Sequence, residues 1–333
     1  RTDGSLNAVP WPEGYAEGVN DSRFNLAQAP RVESYRGFIF ATLNPDTPSV
    51  PDWLGGIRQP IDDWLDRHPG GKIELCEANR LNFRGNWKLA YDNSADGYHV
   101  VFSHRSLLLT ENRFDTDNKG MTYYKSRPDD GPIFVRYFAN GHHYKDKRPA
   151  LEKRDGVLWE SEAAHPGMEP FEAGIRQRLG KDADAALDLV SAPPMNINIF
   201  PNLLIIGNHI QVLQPVAVDE TDTTWYGTRI VDPDDSLNGT ADALNALRMR
   251  TQESFPNFGE VDDLTNFEQI QHGLSALEDE WVYMHRGLGI PGRIKKHEDG
   301  SVSGPATDEV FMREYIREWT RLMTTPPQIA LKR

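Results

Sequence analysis

The chain has 333 residues, 36 of them basic and 50 acidic, for a net charge of −14. That excess of carboxylates argues against a nucleic-acid surface, which needs clustered Lys and Arg to neutralise phosphates. No apolar span of about eighteen residues and no signal-peptide pattern is present, and the single cysteine, Cys76, rules out an internal disulfide. These features lead us to expect a cytoplasmic protein with no membrane segment, built as one large domain or two.

In chain order, residues 33–43 (ESYRGFIFATL) predict a strand, and Asn44-Pro45-Asp46-Thr47-Pro48 punctuates the chain after it. A domain boundary is therefore expected there, separating residues 1–45 from residues 46–333. Within 50–66, Val50, Trp53, Leu54, Ile57, Ile61 and Trp64 recur at helical intervals and predict short helices. Residues 72–86 predict a strand in which Cys76 is a small packed residue. From 121 to 138 and from 197 to 231 the pattern turns to short strands broken by Pro, Gly and Asp. The acidic pairs at Asp129-Asp130 and in 232–235 fit solvated turns. Helices are expected at 239–254, 261–289 and 308–323. Strands in the middle with helices at the edges give the α+β class.

Chemistry is concentrated in residues 82–105, NFRGNWKLAYDNSADGYHVVFSHR. Asp96, His99 and His104 form a D-x-x-H-x-x-x-x-H pattern. Imidazoles suit iron, zinc and copper, and two histidines with one carboxylate suit ferrous iron used in oxygen activation. On a regular helix, Asp96 and His99 share a face, whereas His99 and His104 diverge by about 140°. Both rings can face one ion only if the helix ends near Ser103 or contains a π-turn. The competing reading is two unrelated histidines, one packed and one exposed. A zinc hydrolase would normally place a general-base Glu in an H-E-x-x-H pattern, which the chain lacks.

The flanking residues add context. Gly85-Asn86-Trp87-Lys88, Asp92-Asn93, Asp96-Gly97-Tyr98-His99 and His104, in that order, resemble the catalytic domain of the α subunits of Rieske-type aromatic-ring-hydroxylating oxygenases. The resemblance implies that His99 and His104 ligate a mononuclear non-haem Fe(II). It also implies a catalytic role for Asp96 that is not ligation: it bonds a ligand histidine and bridges toward the Rieske cluster of a neighbouring subunit. The family takes its third ligand from an acidic segment ahead of Glu-Gln and Gly-Leu. Here that segment runs from Gly259 through Asp262-Asp263 and Glu268-Gln269 to Gly273-Leu274. The spacing selects Asp263, with Asp262 beside it as the competitor, and an Asp-Asp pair also suits a plain helix N-terminus.

The amino end, Arg1-Thr2-Asp3-Gly4-Ser5-Leu6 with Val9-Pro10, resembles the segment that follows a Rieske motif. A [2Fe–2S] Rieske centre needs two cysteines and two histidines, and those pairs are absent from this chain. Residues 1–45 are thus expected to be the remnant of a β-rich Rieske domain, with the cluster belonging to the full-length protein. Residues 46–333 are expected to form a helix-grip (START-like) catalytic domain, an antiparallel sheet wrapping a long helix. Residues 196–221, NINIFPNLLIIGNHIQVLQPVAVDET, resemble the family's Phe-Pro-Asn strand pair.

Asn93 matches an asparagine near the iron of some members, although one residue fewer separates it from the first histidine. Phe102, Leu107, Ile199, Leu204 and His209 are candidates for an apolar substrate pocket, with plain core as the alternative. The resemblance implies NADH-derived electrons delivered by a reductase and/or ferredoxin, dioxygen, and an aromatic substrate converted to a cis-dihydrodiol in aromatic catabolism. NSADGYH is closest to members acting on benzoate-, anthranilate- or cumate-like ring carboxylates. An α3 ring, joined by small β subunits as α3β3, is the implied assembly. A Rieske-type monooxygenase or demethylase shares all the iron residues, and a non-redox helix-grip ligand-binding protein would share only the fold.

Overall fold

The computed structural model describes residues 1–16, 19, 22–66, 72–105, 133–147, 153–154, 157–158, 168–184, 187, 195–231, 258–278 and 281–326. The strand expected at 121–132, the helix at 239–254, both acidic turns and Leu107 lie outside these residues. The chain divides into two compact units, Arg1–Gly55 with Trp319–Arg333, and Gly56–Glu318.

In the first unit, β1 (Arg31–Tyr35) and β2 (Phe38–Thr42) pair antiparallel with Tyr35 opposite Phe38. The single strand expected at 33–43 is therefore a hairpin. Its two-residue turn puts Arg36 at φ 49° and Gly37 at φ 97°, the positive-φ pair that matches the twist of the flanking strands. Helix α1 (Val50–Leu54) follows, capped by Ser49, whose side chain accepts from the Asp52 amide, with Pro51 in the first turn. Phe40 meets Trp53 edge-on at 5.7 Å.

The second unit runs α2 (Arg58–Leu65), β3 (Lys72–Phe83), α3 (Trp87–Ala95), α4 (Val100–Ser103), β4 (Phe134–Tyr137) and β5 (His143–Asp146). A short hairpin, β6 (Lys153–Arg154) with β7 (Val157–Leu158), and helix α5 (Met168–Leu179) come next. Then follow β8 (Met195–Ile199), β9 (Leu203–Ile206), β10 (His209–Ala217), β11 (Glu220–Val231), α6 (Phe258–Ala276), β12 (Lys295–Lys296), β13 (Val302–Pro305) and α7 (Val310–Thr324), whose residues from Trp319 onward count with the first unit. Nine strands form one sheet in the order β12-β13-β4-β5-β8-β9-β10-β11-β3, every pair antiparallel. This is the α+β arrangement expected.

The strands β8 to β11 are a meander joined by tight turns, and β3 closes along β11 from Thr221 opposite Phe83 to Val231 opposite Lys72. The chain thus leaves the sheet at Phe83 and enters α3 directly. Tyr91 of α3 is fully buried and packs edge-on against His143, Phe200 and Tyr315, so the helix is held to the sheet by aromatic area. The helix expected at 261–289 stops at Ala276. Gly287 and Gly289 beyond it have φ of 79° and 74°, and a Cβ on Gly287 would stand 2.3 Å from Asp308 Oδ2. A helix cannot run through these two left-handed positions, and at Gly287 the packing leaves no room for a side chain. No described helix is long and apolar enough to cross a membrane.

Candidate metal centre

The site begins with how α3 is tied at both ends. Its N-cap is Asn86, whose side-chain oxygen accepts from the Lys88 amide at 3.1 Å. The Arg84 amide donates to Glu268 Oε1 at 3.2 Å and the Asn86 amide to Gln271 Oε1 at 3.0 Å. Those two bonds lay α6 against the start of α3, and so bring residues nearly two hundred positions apart onto one site.

At the other end, the last carbonyls of a helix have no intrahelical partner. Here side chains of the sheet supply partners for Ser94 and Asp96 and add a bond to the Tyr91 carbonyl one turn earlier. Asn198 Nδ2 donates to Tyr91 O at 2.8 Å, Asn196 Nδ2 to Ser94 O at 2.5 Å, and Lys145 Nζ to Asp96 O at 2.9 Å. Asn196 lies opposite Lys145 in the β5–β8 register, so these donors form a row. Lys145 is buried, and burial, with Lys147 nearby, pulls its pKa down to about 7 although Asp96 and Asp263 oppose the shift. Sequence reasoning did not single out Lys145, Asn196 or Asn198 as site residues. The available signal was polar alternation along a strand otherwise built of Met and Ile.

Beyond Ala95 the helix stops at Asp96, whose φ and ψ are extended. The Gly97 amide donates to Ala306 O at 2.9 Å, and a Cβ on Gly97 would lie 2.8 Å from the Ala306 methyl. Only glycine allows the backbone that approach. One short turn later, α4 has His99 as its N-cap residue and His104 as its C-cap residue. Of the two geometries the spacing permits, the structure adopts the helix that ends at Ser103. The histidine ring centroids are 5.3 Å apart and inclined at 80°.

Asp263 Oδ1 stands 3.1 Å from His104 Nε2 and 4.0 Å from His99 Nε2. That oxygen is buried and makes no hydrogen bond among the described residues. One atom from each of the three residues lies within 4.8 Å of the others. Asp262 Oδ2 instead faces the other nitrogen of His104, Nδ1, at 3.8 Å. The pair sits in the second turn of α6, which starts at Phe258, and so is not the N-terminus that capping alone would place there. Asp96 Oδ2 lies 2.9 Å from His99 Nδ1, and Asp96 Oδ1 accepts from the Tyr98 amide at 2.6 Å. A carboxylate on Nδ1 fixes the tautomer that leaves Nε2 as a lone pair, and the lone pair points toward Asp263. Two imidazole nitrogens and a carboxylate oxygen converging on one point fit a bound cation, and this donor set suits mononuclear iron.

A small cavity opens beside the cluster between α3, α6 and the β10–β11 face of the sheet. Asn93, Asp263, Phe267, Gln211, Thr223 and Trp225 are among its lining residues. Of the pocket candidates, Asn93 lines it. Phe102 does not: α4 is a single turn with both histidines directed at α6, and the Phe102 ring is left 75% exposed. Ile199 and Leu204 are core, not lining, both buried to 1% or less. Alternation on β8 turns Asn196 and Asn198 toward α3 and so turns Ile199 the other way. His209 is buried behind Gln211, 2.9 Å from its amide nitrogen.

Asp92, also on α3, has a buried Oδ1 with no hydrogen bond among the described residues. Burial raises its pKa from 3.8 to about 7, a shift the nearby Tyr315 hydroxyl opposes. A carboxyl with a raised folded-state pKa holds a proton in the folded chain that the unfolded chain has lost, so stability falls as pH rises from about 4 to about 7. Asp92→Asn removes that loss. Thermal unfolding across pH is expected to show the variant level with the parent near pH 4 and more stable by about 4 kcal/mol above pH 7. A constant difference across that window would refute the assignment.

This combination of an antiparallel α+β domain and a two-histidine, one-carboxylate cluster has the donor set of a mononuclear non-haem metal site. Residues 70–325 match the family model described as the ring hydroxylating alpha subunit (catalytic domain), and the chain belongs to that family. It is 29% identical over 286 residues to the 2-halobenzoate 1,2-dioxygenase large subunit of Burkholderia cepacia, covering 83% of this chain and 57% of that one. The anthranilate 1,2-dioxygenase large subunit of Acinetobacter baylyi is 28% identical, over 97% of this chain and 69% of its own. The N,N-dimethyl phenylurea N-demethylase subunit alpha of a Sphingobium species is 30% identical, over 96% and 70%. The chain therefore spans little more than half of the halobenzoate enzyme's subunit. Among solved structures, naphthalene 1,2-dioxygenase with indole in its active site shares the fold, with a TM-score of 0.70 at 22% identity over 97% of this chain and 71% of that one.

Proposed function

We propose that this chain is the catalytic part of a terminal oxygenase component that uses O2 and NADH-derived electrons to hydroxylate an aromatic ring, by cis-dihydroxylation. The observation that carries the reading is the convergence of His99 Nε2, His104 Nε2 and Asp263 Oδ1, with Asp96 on the far nitrogen of His99. His99, His104 and Asp263 would hold Fe(II), which when bound supplies the activation of dioxygen. Asp96 keeps the His99 proton on Nδ1. Phe267 and Leu264 of α6 and Phe83 of β3 close apolar surface over the cavity and keep water from the ring. Asn93 presents an amide to the same cavity and orients the ring relative to the ligands.

On this reading residues 1–45 are the remnant of a Rieske domain and residues 46–333 the catalytic domain. The [2Fe–2S] cluster belongs to the full-length protein, and electrons reach it from NADH through a reductase and/or ferredoxin. Subunits form an α3 ring, with small β subunits giving α3β3, in the cytoplasm. The halobenzoate, anthranilate and toluate relatives support a ring dioxygenase. The 30% identical N-demethylase supports a second reading, monooxygenation or demethylation by the same iron residues.

Product analysis under isotopically labelled dioxygen separates the two. Full-length protein with its reductase is expected to place two labelled oxygens on one ring as a cis-diol. One labelled oxygen in a phenol, or a dealkylated product released with one equivalent of aldehyde, selects the second reading, and a protein that consumes no O2 with any aromatic substrate overturns both.

A further inference from the structure

We propose that Gln211 and Thr223 make this cavity a receptor for an aromatic ring bearing an uncharged amide-type group, with an N–H donor and a C=O acceptor, in preference to a ring carboxylate. The proposal rests on the oxygenase reading of the same cavity and assigns its substrate class.

The β10–β11 register sets Gln211 opposite Trp225 and Leu213 opposite Thr223, so all four side chains stand on the cavity face of the sheet. Trp225 Nε1–H donates to Thr223 Oγ1 at 2.8 Å. The hydroxyl thereby spends acceptor capacity on the indole, and its own proton finds no acceptor among the described residues. Gln211 Nε2 lies 2.9 Å from His209 Nε2. His209 is buried and stacked on Trp225, with ring centroids 5.5 Å apart and planes inclined at 17°, and burial pulls its pKa down to about 4. The imidazole is thus uncharged and accepts at Nε2, which orients the Gln211 carboxamide: its N–H goes to His209 and its carbonyl oxygen is left for the cavity.

Two buried neighbours on adjacent strands therefore offer one donor, the Thr223 hydroxyl, and one acceptor, Gln211 Oε1, beside the apolar surfaces of Leu213 and Trp225. Buried polar groups are costly to leave unmade. A ring amide satisfies both at once, its N–H on Gln211 and its carbonyl on Thr223. A ring carboxylate has no donor for Gln211 Oε1, so it meets the Thr223 hydroxyl alone and leaves the buried carbonyl oxygen of Gln211 unbonded. An alkylbenzene leaves both polar ends unmade.

The test is anaerobic calorimetric titration of the full-length, iron-loaded protein with benzamide, benzoate and isopropylbenzene, rings of similar shape. Benzamide is expected to bind about 10- to 100-fold more tightly than either other ring. Gln211→Leu, with iron content unchanged, is expected to erase that advantage, and Thr223→Val to erase part of it independently. Tightest binding of benzoate or isopropylbenzene by the parent protein overturns the proposal whether or not the variants fold, as does a Gln211→Leu protein that keeps the benzamide preference. Binding of none of the three rings by iron-loaded protein overturns both the proposal and the ring-oxygenase reading. A protein that holds no iron yet still ranks benzamide first overturns the oxygenase reading alone.

Discussion

Replacing His99 or Asp263 by alanine is expected to strip the protein of its iron, where the parent carries about one iron per chain. The geometry makes each residue indispensable in a different way. His99 and His104 are set by a single helical turn, α4, which holds their rings 5.3 Å apart; without His99, one nitrogen and one carboxylate remain. Asp263 is the anion of the set, and its Oδ1 is the atom that lies within 4.0 Å of both Nε2 atoms. Removing it leaves two neutral imidazoles to hold a dication. Metal analysis of the purified variants is expected to give less than about a tenth of the parent's iron, with far-ultraviolet dichroism unchanged. Asp262→Ala is the control, because Asp262 faces the outer nitrogen of His104 at 3.8 Å; it should retain most of the metal. Full occupancy in His99→Ala or Asp263→Ala would sink the ligand assignment.

Why these residues could be found from sequence while others could not has a physical basis. The D-x-x-H-x-x-x-x-H spacing is local, so helix geometry constrains it to two conformations, and the structure adopts one of them. Asp263 came from family spacing alone, since nothing local distinguishes it from Asp262; the distinction is made by which carboxylate the α6 backbone turns inward once Glu268 and Gln271 bond residues 84 and 86. Lys145, Asn196, Asn198, Gln211 and Thr223 went unrecognised because their significance lies in strand register. A polar residue on a strand reads as solvent-facing until its neighbours across the sheet are known, and the α3 carbonyls that need those amides are about a hundred positions away. Phe102 erred in the opposite direction. An aromatic ring next to a ligand histidine looks like pocket, but a one-turn helix with both histidines facing inward leaves it at the surface. The strand expected at 33–43 failed on a single dipeptide: Arg36-Gly37 reads as an unbroken run by hydrophobicity, and is a hairpin because Gly37 adopts a conformation that most side chains disfavour.

In the full-length protein, Asp96→Ala is expected to keep iron and a reducible Rieske centre while turnover falls by roughly 100-fold or more. Asp96 is buried, and its carboxylate has two distinct engagements: Oδ2 on His99 Nδ1 at 2.9 Å, and Oδ1 on the Tyr98 amide at 2.6 Å. The second bond shapes the turn that leads into α4, while the first sets the tautomer and charge of the ligand imidazole. Neither is a bond to the metal. Three ligands remain in the variant, and the turn is still held by the Lys145 bond to the Asp96 carbonyl and the Gly97 bond to Ala306, both of which are backbone contacts that alanine preserves. What the variant lacks is the carboxylate on His99 Nδ1, which on the proposed reading links a ligand histidine to the electron donor. Asp96→Asn sharpens the comparison, because an amide can still bond His99 but is uncharged and can present a donor where a lone pair is required, selecting the wrong tautomer. Single-turnover measurements starting from the reduced protein separate the possibilities. Slow oxidation of the Rieske centre with iron content intact marks Asp96 as part of the electron path. Loss of both metals together would make it a folding residue, and turnover within about twofold of the parent would remove it from the mechanism.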